Sequence, residues 1–351
     1  MSKNEISSQY ARKSSFKGWP IGLRNPLPPV VGATSLVACI GLVLAYVAYM
    51  RRYVLHDIPL TAACTGQVHD TLCSMGRLSY YTVQHVRHHG PLSSPSPVAP
   101  LLLIHDAGLA ASSYEMKPLY EHYAHERTVY ALDLPGFGFS ERGALAYSPL
   151  LYRDAINEFI ASVLHGTPVD AVAFSLGAEF LALAAEHRPE QFRTLTFITP
   201  TGFSRADAQR RPSKVLLHWL LHPSWRRLIY DTLTSRIGLR NYLGSLQRHP
   251  TDRSLLHYAY VTSHQPGAEY APLHTLSGAL NTPDIFSVYQ SLSQPVLMLY
   301  GQSVRAHFDL VDDLHTQLNW RIVEYKRCGD LVHFDDLHDT LAWLDQHLKN
   351  P

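Results

Sequence analysis

Cysteine is scarce in this chain: Cys39, Cys64, Cys73 and Cys328 are the four in 351 residues. They are scattered and form no CxxC pair, so neither a zinc knot nor a disulfide framework is indicated. An excess of one charge is also missing. The formal net charge is +1, which gives no electrostatic basis for a nucleic-acid partner. No internal repeat is visible. A zinc-peptidase H-E-x-x-H is absent as well: His218 and His222 in "HWLLH" have helical spacing, but Trp219 stands where the Glu is needed. Histidine itself is plentiful, at 21 residues. The "HVRHHG" cluster, His85 to Gly90, adjoins the proline-rich "PLSSPSP" and reads as a solvated loop rather than a metal site. What remains is an ordinary globular balance, with 46% hydrophobic and 17% charged residues.

One long apolar run stands out. "VVGATSLVACIGLVLAYVAYM", Val30 to Met50, carries no charge. About 21 residues at 1.5 Å each span roughly 31 Å, close to the hydrocarbon thickness of a bilayer. Arg51 and Arg52 end it, and Tyr46, Tyr49 and Tyr53 sit where interfacial aromatics belong. A cleaved signal peptide fits less well, since the preceding region is long and no A-x-A site follows promptly. A buried core helix fits poorly, because the run is apolar on every side and precedes any other structured element. The expectation is a retained single-pass membrane helix. Arg12, Lys13, Lys17 and Arg24 ahead of it lean towards a cytoplasmic N-terminus.

Beyond residues 51–76, read as a connector, β-rich and helical stretches alternate. "RLSYYTVQHV", "LLLIHD", "TVYALDLPG", "VDAVAFS", "TLTFITP", "PVLMLYG" and "RIVEYKR" read as strands. Helical patterns lie between them, including "SPLLYRDAINEFIASVLHG", which Ser148 can cap and Gly166 can end. A further helix is expected near Phe308 to Leu318. The alternation implies an α/β class with a mostly parallel sheet covered by helices on both faces. It breaks over residues 202–294, a Leu-, Trp- and Tyr-rich stretch that reads as an inserted helical cap. The expected organisation is a tail (1–29), a membrane helix (30–50), the connector (51–76), a core (77–201 and 295–351) and the cap (202–294).

Sites in such sheets lie beyond the carboxyl ends of the strands. There, "VDAVAFSLGAEF" runs an apolar strand into Ser175 and straight into a helix. A sharp strand–turn–helix exposes the serine and aims backbone N–H groups at it, and Gly177 and Ala173 leave room for the turn. This stretch resembles the α/β-hydrolase superfamily, whose elbow is G-x-S-x-G. "LLLIHDAG" is similar to the family's strand followed by His-Gly, and "DLPGFGFS" to its next loop. The resemblance covers about residues 77 to 350. It implies Ser175 as nucleophile and an oxyanion hole built from the Leu176 and Ala107 N–H groups. No cofactor and no metal are implied.

The departures cluster at the same places. Asp106 stands where the family has Gly, Ala173 replaces the first elbow Gly, and Val304 occupies the usual acid position. Asp330 in "CGDLVHFDD" takes the place of the histidine, and His333 follows three residues later. A carboxylate with an ordinary pKa near 4 is a poor base for a serine hydroxyl. The remaining candidates are His333 as base and Asp309 as the acid that orients it. Asp106 would repel a developing oxyanion unless it points away or is protonated; alternatively it faces solvent or caps the next helix. The expectation is a membrane-anchored serine hydrolase acting on an ester or related acyl substrate, with the apolar cap and nearby bilayer pointing to a lipid-like small molecule. Two alternatives stay open: a catalytically degenerate binding or interaction module on the same fold, and a cofactor-free oxidase or C–C bond hydrolase.

Overall fold

The computed structural model describes residues 58–83, 98–205, 211–302, 308–314 and 316–349, with a few further positions between 41 and 56. Contacts divide the chain into Met1–Tyr49 and Met50–Pro351. The tail 1–29, most of the run 30–50, the histidine cluster at 85–90 and Val304 lie outside the described residues; residues 45–49 are helical. Among the described residues no helix is long and apolar enough to cross a membrane.

In the larger unit eight strands form one sheet: β1 (Gln67–Cys73), β2 (Gly76–Val83), β3 (Leu101–Ile104), β4 (Val129–Asp133), β5 (Val169–Phe174), β6 (Phe192–Ile198), β7 (Val296–Gly301) and β8 (Trp320–Tyr325). Their spatial order is β1-β2-β4-β3-β5-β6-β7-β8. β1 and β2 pair antiparallel, β2 joins β4 antiparallel, and every later pairing is parallel.

The period of two in the central strands builds two cores. Leu102 and Ile104 of β3 join Ala171 and Ala173 of β5 on one face, packed against Tyr152, Ile156 and Phe180 of the helices Pro149–Val163 and Gly177–His187. Leu101, Leu103, Val172 and Phe174 point the other way, to Leu119, Tyr120, Leu344 and Leu348 of the helices Lys117–Tyr123 and Leu337–Lys349. Each such aliphatic side chain contributes about 1.5–3 kcal/mol on burial. That double burial is why these strands are continuous apolar runs.

Local signals act as expected. Ser148 Oγ accepts the Leu151 N–H at 3.2 Å at the start of Pro149–Val163. Gly166, just past that helix, is left-handed at φ 74. Helices from Lys214 to Ser291 fill the connection between β6 and β7, the position read as the cap. Two elements differ from the sequence reading. β1 lies inside the stretch read as connector; it is an edge strand, largely exposed on both faces, and so carries no apolar alternation. The helix expected near Phe308 to Leu318 is only a 3₁₀ turn, Val311–Leu314, because few of its residues are buried.

Candidate active site

Ser175 follows β5 directly and opens the turn into Gly177–His187. Its φ is 54, a left-handed conformation rare for a non-glycine residue. The turn is held by Ser175 N–H donating to Ile198 O at 3.0 Å and Ala178 N–H donating to Ser175 O at 3.1 Å. Gly177 is required here, since a Cβ would stand 2.3 Å from His105 O. Ala173 is fully buried and accommodated within the core. The serine is half-buried and lines a cavity of about 400 Å³ that also borders Asp106, Gly108, Leu109 and the cap residues Tyr242 and Leu276.

The His-Asp pair after β3 does not face solvent. His105 is fully buried; its Nδ1–H donates to Asp106 O, and its Nε2 accepts the Leu134 N–H at 2.9 Å. Burial pushes its pKa down to about 4, against the opposing pull of Asp133 and the Asp106 carbonyl. His105 is therefore a neutral strut between the ends of β3 and β4. Asp106 is 7% exposed. Its Oδ1 accepts the Leu176 N–H at 3.1 Å. That N–H is the donor proposed for the oxyanion hole, so the carboxylate occupies the place where a substrate oxyanion would bind. The other proposed donor, Ala107, is buried in the same turn, and its carbonyl accepts the Thr275 hydroxyl from the cap at 2.5 Å.

Behind Asp106 stands Glu115. Its Oε2 accepts the Asp106 N–H at 3.0 Å. Burial first, and the Asp106 charge second, raise the Glu115 pKa well above the ordinary carboxylate range. Sequence reasoning missed Glu115; no motif marks it, and only the fold brings it under Asp106.

His333 is fully buried in the short helix Val332–Asp335. Its Nε2–H donates to Glu115 O at 2.7 Å, and its ring lies against Phe174 and Phe334. Nδ1 is buried and without a partner among the described residues. Burial lowers its pKa to about 4, although the Glu115 carbonyl and Asp335 pull the other way. His333 does not line the cavity that holds Ser175. Asp309 is exposed, just ahead of the 3₁₀ turn. Among the described residues no hydrogen bond joins Ser175 Oγ to a histidine, or His333 to Asp309. The structure thus brings Ser175, Leu176, Ala107 and Asp106 together, holds His333 against Glu115 and Phe174, and leaves Asp309 exposed.

Asp330, in the histidine's place, is buried, and its carbonyl accepts the Thr199 hydroxyl at 2.7 Å. The loop around it is tightly threaded. A Cβ on Gly301 would meet Gly329 O at 2.0 Å, and one on Gly329 would meet Leu246 O at 2.4 Å. The "DLPGFGFS" stretch is likewise architectural: Asp133 accepts the Ser113 N–H at 3.0 Å and the Phe139 N–H at 2.9 Å.

The sequence matches the family described as alpha/beta hydrolase family over residues 101–343. No curated protein gives a significant match. Among solved structures, a probable hydrolytic enzyme from Pseudomonas aeruginosa PAO1 is similar at 18% identity and TM-score 0.65, covering 83% of this chain and 98% of that one. A carboxylesterase from Bacillus subtilis is similar at 17% identity and TM-score 0.60, covering 87% and 97%. An epoxide hydrolase is similar at 16% identity and TM-score 0.61, covering 81% and 98%. At these identities the likeness concerns the fold.

Proposed function

The chain belongs to the alpha/beta hydrolase family, and from that premise we propose that it binds a small organic molecule in the Ser175 cavity without transferring its acyl group. One contact carries this reading: the Leu176 N–H donates to Asp106 Oδ1 at 3.1 Å. An acyl-transfer site needs that donor open to stabilise the tetrahedral oxyanion, and loss of one such donor costs about 10²–10³ in rate. Among the described residues no imidazole hydrogen-bonds the Ser175 hydroxyl, which adds to it. Serine attack needs an imidazole in hydrogen-bond reach with a pKa near the working pH. His333 donates to Glu115 O instead and is held at about 4.

The test is labelling of the full-length protein with a fluorophosphonate probe, alongside hydrolysis of a short-chain p-nitrophenyl ester. The expected result is no labelling and no hydrolysis beyond that of Ser175→Ala. Labelling of Ser175 together with hydrolysis that Ser175→Ala abolishes would overturn the reading.

A second reading, the active serine hydrolase with Ser175 as nucleophile and water as acyl acceptor, is favoured by the elbow itself. A left-handed serine costs about 1–3 kcal/mol, and such strain gathers at working sites. The same probe experiment decides between the two. In either case we assign residues 30–50 to a single membrane span with the N-terminus cytoplasmic, on the strength of their uncharged length. Retention in the membrane pellet after alkaline extraction is the expected outcome, and release into the supernatant refutes it.

A further inference from the structure

The cap helix Lys214–Leu220 is apolar on two faces. On one, Leu220 is buried with Leu109, Tyr230 and Leu273. The other turns Val215, Leu216 and Trp219 to solvent, at 82%, 40% and 52% exposure. These three fall within one arc of about 100° on a helix, so they form a single patch. One exposed aliphatic residue needs no explanation, but a cluster that includes Trp does. The patch is also held firmly. The Trp219 ring lies 5.6 Å from that of Trp225, whose Nε1–H donates to Trp219 O at 2.8 Å, and His222 stacks on Trp225 at 4.2 Å.

The surroundings are basic. Residues 208–230 include five Lys or Arg and no Asp or Glu. Arg226 and Arg227 are taken up by Glu269 and Asp231. Arg211 and Lys214, at the start of the helix, are exposed. An apolar face that carries Trp and is flanked by basic residues matches the headgroup region of an anionic bilayer: acyl chains receive the aliphatic groups, indole sits at the interface, and Lys and Arg reach the phosphates.

The path of the chain points to the same occupant. The segment that follows the apolar run 30–50 joins the folded unit at the cap. Arg227 donates to His56 Nδ1, and His56 Nε2 lies 3.3 Å from Asp231 Oδ2. Gln265 then holds Ile58 O at 2.8 Å, and the Tyr258 hydroxyl donates to Thr61 O at 3.0 Å. Arg227 is two residues beyond Trp225, the ring neighbour of Trp219. Six residues separate Met50 from His56, a reach of at most about 22 Å. A span ending at Met50 would therefore tether the cap, on the side of the Trp219 patch, close to the membrane surface.

We propose that the helix Lys214–Leu220 docks on the anionic bilayer surface through Val215, Leu216 and Trp219. This builds on the membrane span assigned above. Docking there would also bring the Ser175 cavity to the membrane. Ser213 N–H, at the start of the helix, donates to Ser277 O at 3.1 Å, and the adjacent Leu276 is an exposed residue that lines the cavity. An apolar ligand could then enter from the lipid without crossing bulk water.

The experiment is tryptophan fluorescence of the full-length protein in vesicles of phosphatidylcholine and phosphatidylserine, with and without bromine on the acyl chains as a contact quencher. The brominated lipid should quench the wild type, and Trp219→Phe should lose the larger part of that quenching. Trp320→Phe, which removes a buried ring, should leave it unchanged. Val215→Asp changes an exposed position, so the fold can keep its core, and should withdraw Trp219 from the quencher. Leaving out phosphatidylserine should weaken the Trp219 signal. Equal quenching in wild type and Trp219→Phe overturns the docking, and so does quenching that Val215→Asp leaves intact. A Trp219 signal indifferent to phosphatidylserine overturns the choice of an anionic surface. Failure of the span reads differently: alkaline extraction would then release the protein, while the Trp219 signal could still be measured on the same protein added to vesicles.

Discussion

Replacing His333 with glutamine should remove a defined part of the protein's acid sensitivity. In the folded chain the His333 imidazole donates from Nε2 to Glu115 O, and Nδ1 is buried with no acceptor nearby among the described residues. Protonation would place an unpaired N–H, with its charge, in that position. Burial accordingly lowers the pKa from an ordinary 6.5 to about 4. The unfolded chain takes up this proton first as pH falls. The stabilisation is thus fully present above about pH 6.5 and is lost progressively down to about 4. At 1.36 kcal/mol per pH unit, that loss amounts to about 3 kcal/mol. Glutamine keeps a donor for Glu115 O and has nothing to titrate. His105 and His264 are also pushed down to about 4 by burial, so the raw acid limb belongs to several residues. The informative quantity is the difference between wild type and His333→Gln, measured by urea denaturation of the full-length chain between about pH 7.5 and pH 4. Wild type should lose about 3 kcal/mol relative to the variant over that window. A difference that stays flat with pH refutes the reasoning. It would mean that the imidazole titrates as in water, and an imidazole open to water could also be open to Ser175.

Other perturbations follow from the same contacts. Glu115→Gln retains an acceptor for the Asp106 N–H. The Glu115 pKa is raised on folding, so its stabilisation is present at acid pH and declines as pH rises; the variant should gain stability over wild type towards pH 8, read by thermal melts across pH. Gly177→Ala puts a methyl group 2.3 Å from a main-chain oxygen that cannot yield, and should cost roughly 1–3 kcal/mol or more in denaturant titration. Asp170→Ala leaves Arg127 buried without its carboxylate partner and should cost about 3–5 kcal/mol, measured in the same way. Ser148→Ala removes a helix cap and should cost about 1 kcal/mol.

The parts of this molecule that could be read from sequence are those whose physics is local. β3 to β7 announce themselves as apolar runs because both faces are buried. The Ser175 turn is legible because a short strand, a small residue and a helix start must follow one another within a few positions. β1 is not legible, since an edge strand buries too little to impose a pattern. The fate of His333 was hidden for a different reason. Its neighbours Val332 and Phe334 correctly suggest burial, but its hydrogen-bond partner lies 218 residues away and only the folded chain brings the two together. Asp106 was visible as an oddity, and its inward direction was not, because that depends on the Leu176 N–H across the sheet. Asp309, the nearest carboxylate downstream of the usual acid position at Val304, is exposed just ahead of a turn.

The Asp106–Leu176 contact also fixes the order in which chemistry could be restored to this scaffold. Converting Asp330 to histidine while the seat is taken offers a proton acceptor to a serine whose product cannot be stabilised. Clearing the seat with glycine at 106 while no described residue offers Ser175 an imidazole leaves a stabiliser with nothing to stabilise. Neither step helps without the other, so a laboratory search that accepts only single improvements would stall, and a library that varies both positions at once is the one that could cross the gap.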